Sequence, residues 1–378
     1  RRQRIARQVL RMGIWMATIY GLVTIIPLWH GQTILLWLRQ DPAVAEQAST
    51  YLRFVGLGMA PTFVYFVLRN YVSAYQKPTP PVIINMIGVG VNIFLNYVFI
   101  HGVFGFPALG LAGIGLATSL TFTFMVILLA GYMILNRQIG RTRPFSRLTR
   151  FRPDVMKRLL IVGFPIGLTL LAETGMFIVG GIYMGVFGIA AVAASGIGNQ
   201  LAAITYMVPL AISLATTIRI GHAAGANHVR DAIRAGLVSV YITIVITLIM
   251  SIVIMLEKDT VTRLFLNDDD ALFYEVMAHA SGMLLIVAIF QLFDGLQSVF
   301  VSALRGISDT RMPAFISILS YWGVGVVSGY VLATPMGLGP IGVWIGMAIG
   351  LGTATVVLGG RCWQTRNKLI RQNQFDLI

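Results

Sequence analysis

Two carboxylates, Glu173 and Asp294, stand alone in long apolar stretches, with no basic residue close enough along those stretches to pair with either. The other twelve acids fall in connections, tails or stretch ends. An ionised group at the centre of an apolar, membrane-length helix costs about 2.5–3.5 kcal/mol on insertion scales, so such a residue marks a functional site by default. Burial disfavours the charged form of a carboxyl group. Each acid must therefore hold a proton, bind a metal cation or pair with a cationic substrate. These occupants compete for one negative charge, so one carboxylate can exchange H⁺ or Na⁺ for an organic cation. The alternative is a protonated acid that only bonds helix to helix.

The neighbours of the two acids differ. Asp294 lies eleven residues before Arg305, roughly 16 Å along a helix and close to the middle of a ~30 Å hydrocarbon core. Gln291, Gln297 and Ser298, at i−3, i+3 and i+4, place a polar stripe on the same helical face. That stripe is expected to line a cavity or the bundle interior. Glu173 lies fifteen residues from Arg158, roughly 22 Å by the same rise. Gly167, Thr169, Thr174 and Gly175 surround it with small or hydroxylic side chains, which allow close helix approach or leave room for a ligand. Asn92 and Asn96 form a further polar pair at i and i+4. They could hold a cation or substrate, or bond helix to helix.

The elements that carry these residues are long and apolar. The chain of 378 residues is 57% hydrophobic and only 11% charged, with a mean hydropathy of +0.80. A soluble protein carries about 25% charged residues. Ten helical spans are expected at 12–37, 52–75, 82–101, 109–135, 159–186, 190–218, 232–256, 276–304, 313–333 and 339–360. Each is long enough to cross a bilayer, and none alternates as a barrel strand would.

The net charge of +14 raises nucleic acid as a partner, but its placement argues against one. Lys and Arg cluster at 1–11, 137–158 and 361–371, with smaller groups at 69–77, 219–234 and 305–311. Those segments are every second connection of the ten-span arrangement. The opposite connections hold only Arg39, Arg53, Lys258 and Arg263 of the 28 basic residues, together with eight acids that include Asp268, Asp269 and Asp270. This positive-inside pattern places both termini in the cytoplasm. Trp29, Trp37 and Trp363 fall near span ends, where interfacial anchors sit. The single cysteine, Cys362, and the absence of CxxC or HExxH spacing give no metal centre or disulfide. No nucleophile–base constellation suggests an enzyme.

A weak internal repeat organises the spans. Arg7, Arg11 and Gly13 introduce one long span with the spacing of Arg230, Arg234 and Gly236. The turn from Gln76 to Pro81 matches the turn from Ser308 to Pro313, and Pro107–Gly113 is echoed at Pro335–Gly342. Corresponding copies start on the same side, so the halves are parallel repeats. The expected fold is thus an all-α polytopic membrane protein of two pseudo-symmetric lobes. Residues 1–136 form an N-lobe of four spans, 137–158 a basic linker, 159–360 a C-lobe of six spans and 361–378 a tail. Six plus six helices would complete the pattern, with two spans expected before Arg1.

Asn92-Ile93-Phe94-Leu95-Asn96-Tyr97 leading into Phe104–Gly110, Ile218–Gly225, and Ala303-Leu304-Arg305-Gly306 with Asp309-Thr310-Arg311 occur in the order of a known family. In these motifs and in its half-repeat the chain resembles the multidrug and toxic compound extrusion (MATE) family, and within it the NorM-like bacterial branch. The resemblance implies a twelve-helix antiporter of the bacterial inner membrane that exchanges Na⁺ or H⁺ for cationic drugs by alternating access, acts as a monomer and needs no cofactor beyond the coupling ion. It places Glu173 and Asp294 on the family's C-lobe acids that bind the coupling cation, with Na⁺ as the metal if sodium drives transport. Asn92 and Asn96 fall on an N-lobe asparagine pair. Phe290 stands where NorM-like members can carry a Tyr near the cation, which removes one possible oxygen ligand. The family's N-lobe acid lies on a first helix that this chain does not contain. Other readings are a flippase for a lipid-linked substrate, which would need a basic cavity, and a non-transporting assembly partner.

Overall fold

The computed structural model describes residues 2–37, 41–266 and 272–375. Arg39 and the acidic run Asp268-Asp269-Asp270 lie outside the described residues. Among the described residues there are helices and no strands. Nine helices among the described residues are long and apolar enough to cross a membrane, or ten when a bent helix pair is counted as one span. The chain divides into two compact units, Arg1–Leu160 and Ile161–Ile378.

The N-terminal unit begins with α1 (Arg2–Trp29), α2 (Gly31–Trp37), α3 (Pro42–Leu57) and α4 (Met59–Ala74). It continues with α5 (Thr79–His101), α6 (Leu111–Leu135) and the short α7 (Arg137–Gly140). Helix α6 is the spine, with α3, α4 and α5 packed on it, and α1 packs on α4. Leu10, Tyr65, Leu68, Leu129, Met133 and Ile139 form the buried centre. The sequence predicts one span at 52–75, and there the chain forms α3 and α4, which meet at a bend of 46°. Three features make the bend. Pro61 has no N–H for the carbonyl of Leu57. The Ser119 hydroxyl donates to the Phe54 carbonyl at 2.7 Å, competing within the helix ladder. A Cβ at Gly58 would lie 2.6 Å from the Ser119 Cα, so the bend carries the backbone directly against α6.

The C-terminal unit takes up α8 (Pro153–Met184), whose first turns precede the unit boundary, then α9 (Ile189–Gly225), α10 (Val229–Arg263) and α11 (Phe273–Gly306). It ends with α12 (Arg311–Ile318), a π-helical stretch at Leu319–Val326, α13 (Val327–Ala333) and α14 (Gly339–Phe375). Helix α11 is central, packed against α9, α10 and α14. That position explains why its side chains at Met283, Leu284, Val287, Ala288 and Phe290 have no exposed surface. The π-stretch and α13 run against α14 at glycine contacts. A Cβ on Gly346 would fall 2.2 Å from the Gly329 backbone, so the approach requires glycine at 346.

Candidate functional site

The side chains predicted to carry chemistry converge around the middle of α11. Asp294 is 4% exposed, Gln291 0%, Gln297 1% and Ser298 7%, although all four are polar. Their direction is set by the residue beside them. A Cβ at Gly295 would meet Thr247 at 2.7 Å, Thr243 at 3.2 Å and Pro209 at 3.3 Å. The glycine therefore presses α11 onto α9 and α10, and Asp294 takes the adjacent interior face. The Thr355 hydroxyl on α14 donates to the Phe293 carbonyl at 2.9 Å and holds this turn from another side.

Glu173 reaches the same place from α8. The Trp322 indole N–H, from the π-helical stretch, donates to the Ala172 carbonyl at 3.1 Å. The ring lies over Gly175, where a Cβ would touch it at 2.8 Å. Trp322 thus fixes the turn of α8 that bears the glutamate. Glu173 is partly accessible, whereas Asp294 is closed off.

Gln297 joins the two acids. Its Nε2 amide lies 3.5 Å from Glu173 Oε1 and 3.4 Å from Asp294 Oδ1. The Tyr321 hydroxyl donates to Gln297 Oε1 at 2.7 Å, which fixes the nitrogen end of the amide toward the carboxylates. Contacts of 3.4–3.5 Å are long for hydrogen bonds, so the amide orients the acids without holding them tightly. One neutral donor shared by two carboxylates cannot satisfy two negative charges. The arrangement suits a proton or a small hard cation, for which carboxylate, amide and hydroxyl oxygens are the matching donors. Among the described residues no three His, Cys, Asp or Glu side chains come together as a multidentate metal centre.

Several participants were not legible in the sequence. Tyr321 sits on the π-helical stretch, a rare conformation that recurs at functional sites. Tyr206 on α9 faces Ser298 and lies in the field of both acids. The Thr205 hydroxyl donates to Gln291 Oε1 at 2.8 Å, while Gln291 Nε2 is buried without a partner. The sequence reading left both acids without an internal counter-ion, and among the described residues neither acid forms an ion pair. Arg305, which closes α11, is a positive side chain whose field reaches Glu173.

Other predicted residues lie elsewhere. Phe290 is packed in the apolar centre, edge-on to Phe177 and to Trp344. Asn92 and Asn96 belong to the N-terminal unit. Asn96 donates to Asn92 Oδ1 at 3.0 Å, and Asn92 donates to Thr121 Oγ1 on α6 at 3.3 Å. Gln291 and Gln297, expected to face a cavity or the bundle interior, are buried beside Asp294.

The chain's membrane-length helices define a multi-pass helical membrane protein. The solved structure of the eukaryotic MATE transporter AtDTX14 superposes with a TM-score of 0.84 at 17% identity, over 97% of this chain and 82% of the other. A MOP superfamily transporter from Pyrococcus furiosus gives a TM-score of 0.85 at 20% identity, over 97% of this chain and 80% of the other. That transporter is described as having a binding pocket of reversed polarity and a different function, so the shared fold does not set a pocket's charge.

The MatE family model matches residues 1–98 and 165–331. The probable multidrug resistance protein NorM of Mesorhizobium japonicum is 36% identical over 363 residues, covering 96% of this chain and 78% of the relative. The protein of the same name from Bradyrhizobium diazoefficiens is 38% identical over 346 residues, covering 91% of this chain and 74% of the relative. The chain belongs to the MatE family, a family of transporters rather than enzymes.

Proposed function

We propose that this protein is a secondary multidrug efflux antiporter of a bacterial cytoplasmic membrane, exchanging Na⁺ or H⁺ for organic cations, with both termini in the cytoplasm. The observation that carries the reading is the buried set in which Gln297 faces both Glu173 and Asp294. Relatives named as multidrug resistance proteins support the efflux role. The arginine-rich segments at alternate connections support the orientation.

In this account Glu173 and Asp294 hold the coupling ion. Asp294 is closed within the helix packing, and Glu173 is the partly accessible partner. An arriving cation replaces the weak amide contacts with direct charge neutralisation. Ion loading favours the state that releases the organic cation, because each ligand shifts the equilibrium only through its differential affinity for the two states. Arg305 competes electrostatically for Glu173 when no cation is bound. The site holds no resident cofactor in this account, and the monomer is the working unit.

The test is transport of a fluorescent organic cation in proteoliposomes under Na⁺ and pH gradients imposed separately. An inward gradient of one ion is expected to drive export, which identifies the coupling ion. Export that responds to neither gradient overturns the antiport reading.

A further inference from the structure

The N-terminal unit contains a polar cavity of about 290 Å³ that the acid pair does not use. Seven arginines line it. Arg4, Arg7 and Arg11 lie on one face of α1, and the others come from the segment 143–152.

Arg11 forms the floor and is only 7% exposed. Its Nη1 donates to the Arg150 carbonyl at 3.2 Å and its Nη2 to the Ser146 carbonyl at 3.0 Å, which folds the segment over α1. Its Nε is buried with no partner at all. The charges acting on Arg11 come from Arg150, Arg7, Arg147 and Arg152, all positive. The nearby carboxylate Asp154 is engaged by Arg152 at 3.3 Å and points largely into solvent. Arg143 and Arg147 adopt φ of 49° and 55°, a left-handed backbone that non-glycine residues rarely take and that clusters at ligand sites.

Membrane topology explains why arginines occupy this end of the unit, but it requires only their number. It does not require seven of them to converge on one cavity or to bury one with a free donor. Guanidinium groups gathered this way match phosphate oxygens, which accept their paired donors. We propose that this cavity is a binding site for a phosphate-bearing anion. The surroundings place it at membrane-interface level: the Trp15 indole N–H donates to the Leu148 carbonyl at 2.9 Å, and the exposed Trp15 and Phe151 rings meet edge to face. An anionic phospholipid headgroup or a free phosphate compound supplies the same chemistry.

The experiment titrates the purified full-length protein in neutral detergent with dihexanoyl phosphatidic acid, with dihexanoyl phosphatidylcholine and with inorganic pyrophosphate. The wild type is expected to bind phosphatidic acid, and phosphatidylcholine at least about tenfold more weakly. Changing the exposed rim residues together, Arg4→Gln with Arg147→Gln, is expected to weaken binding roughly tenfold or more. Arg137→Gln with Arg141→Gln removes equal charge outside the cavity and is expected to stay within about twofold. Arg11→Gln probes the floor, and the rim pair carries the test if that variant fails to fold. Binding of pyrophosphate but not of phosphatidic acid, lost in the rim pair, supports the site and assigns it to a soluble phosphate. Equal binding of phosphatidylcholine, equal losses in rim and control variants, or no binding of either phosphate probe to the wild type overturns it.

Discussion

Shifted by the 232 residues that separate Gln76 from Ser308, the bent pair α3–α4 of the N-terminal unit corresponds to α11 of the C-terminal unit. Thr62 then takes the place of Asp294, and Tyr65 that of Gln297. Thr62 turns its hydroxyl onto its own helix, donating to the Gly58 carbonyl at 2.8 Å. The Tyr65 hydroxyl donates to Asn85 Oδ1 at 2.9 Å. Both are closed, neutral pairings. In α11 the same two places hold an acid and an amide whose nitrogen faces two carboxylates. At these two places one unit pairs neutral groups with each other, and the other sets an acid beside an amide that faces two carboxylates. A few side chains make that difference.

The largest effect that would break this contrast lies at the acids. Asp294→Asn or Glu173→Gln is expected to abolish ion-driven export at equal expression, whereas Thr62→Val leaves it within about twofold, a lost neutral hydrogen bond being a minor term. Next comes the bridge. Gln297→Leu removes the donor that the cation displaces from both carboxylates and is expected to raise cation affinity about two- to tenfold, since contacts of 3.4–3.5 Å fall short of a full charged hydrogen bond. Its counterpart Tyr65→Phe costs about 0.5–1.5 kcal/mol of thermal stability with binding unchanged. Equilibrium binding and melting curves on the same preparations separate the two. Tyr321→Phe releases the far end of the Gln297 amide and is expected to shift cation affinity in the same direction as Gln297→Leu, by about twofold. The smallest effect is expected at Asn92→Ala, about 0.6 kcal/mol of stability with no change in export, as befits an interhelical hydrogen bond to Thr121.

Much of this was legible in the residues. Lone acids in apolar stretches, the i±3 polar stripe on α11 and the charge asymmetry of the connections all report on burial and orientation without knowledge of contacts. What was not legible depends on approach between distant segments. Tyr321 and Tyr206 read as ordinary apolar-run aromatics, because only packing shows which face of a helix turns inward. The bend at Gly58 is hidden because apolar composition is continuous across it, and the cause includes the hydroxyl of Ser119, 65 residues beyond Phe54. The convergence of arginines on one cavity is likewise invisible in a list of basic segments.

The claim that Glu173 and Asp294 form one negative site for which cations compete is tested most directly by equilibrium binding of radiolabelled tetraphenylphosphonium to the purified protein. Lowering pH protonates the carboxylates, so binding is expected to weaken toward acid pH and to recover toward neutral pH; in a sodium-coupled protein, added Na⁺ displaces the probe as well. The double variant Asp294→Asn with Glu173→Gln is expected to bind weakly and to respond to neither ion. Wild-type affinity in that variant, or wild-type binding indifferent to both pH and Na⁺, would contradict the account.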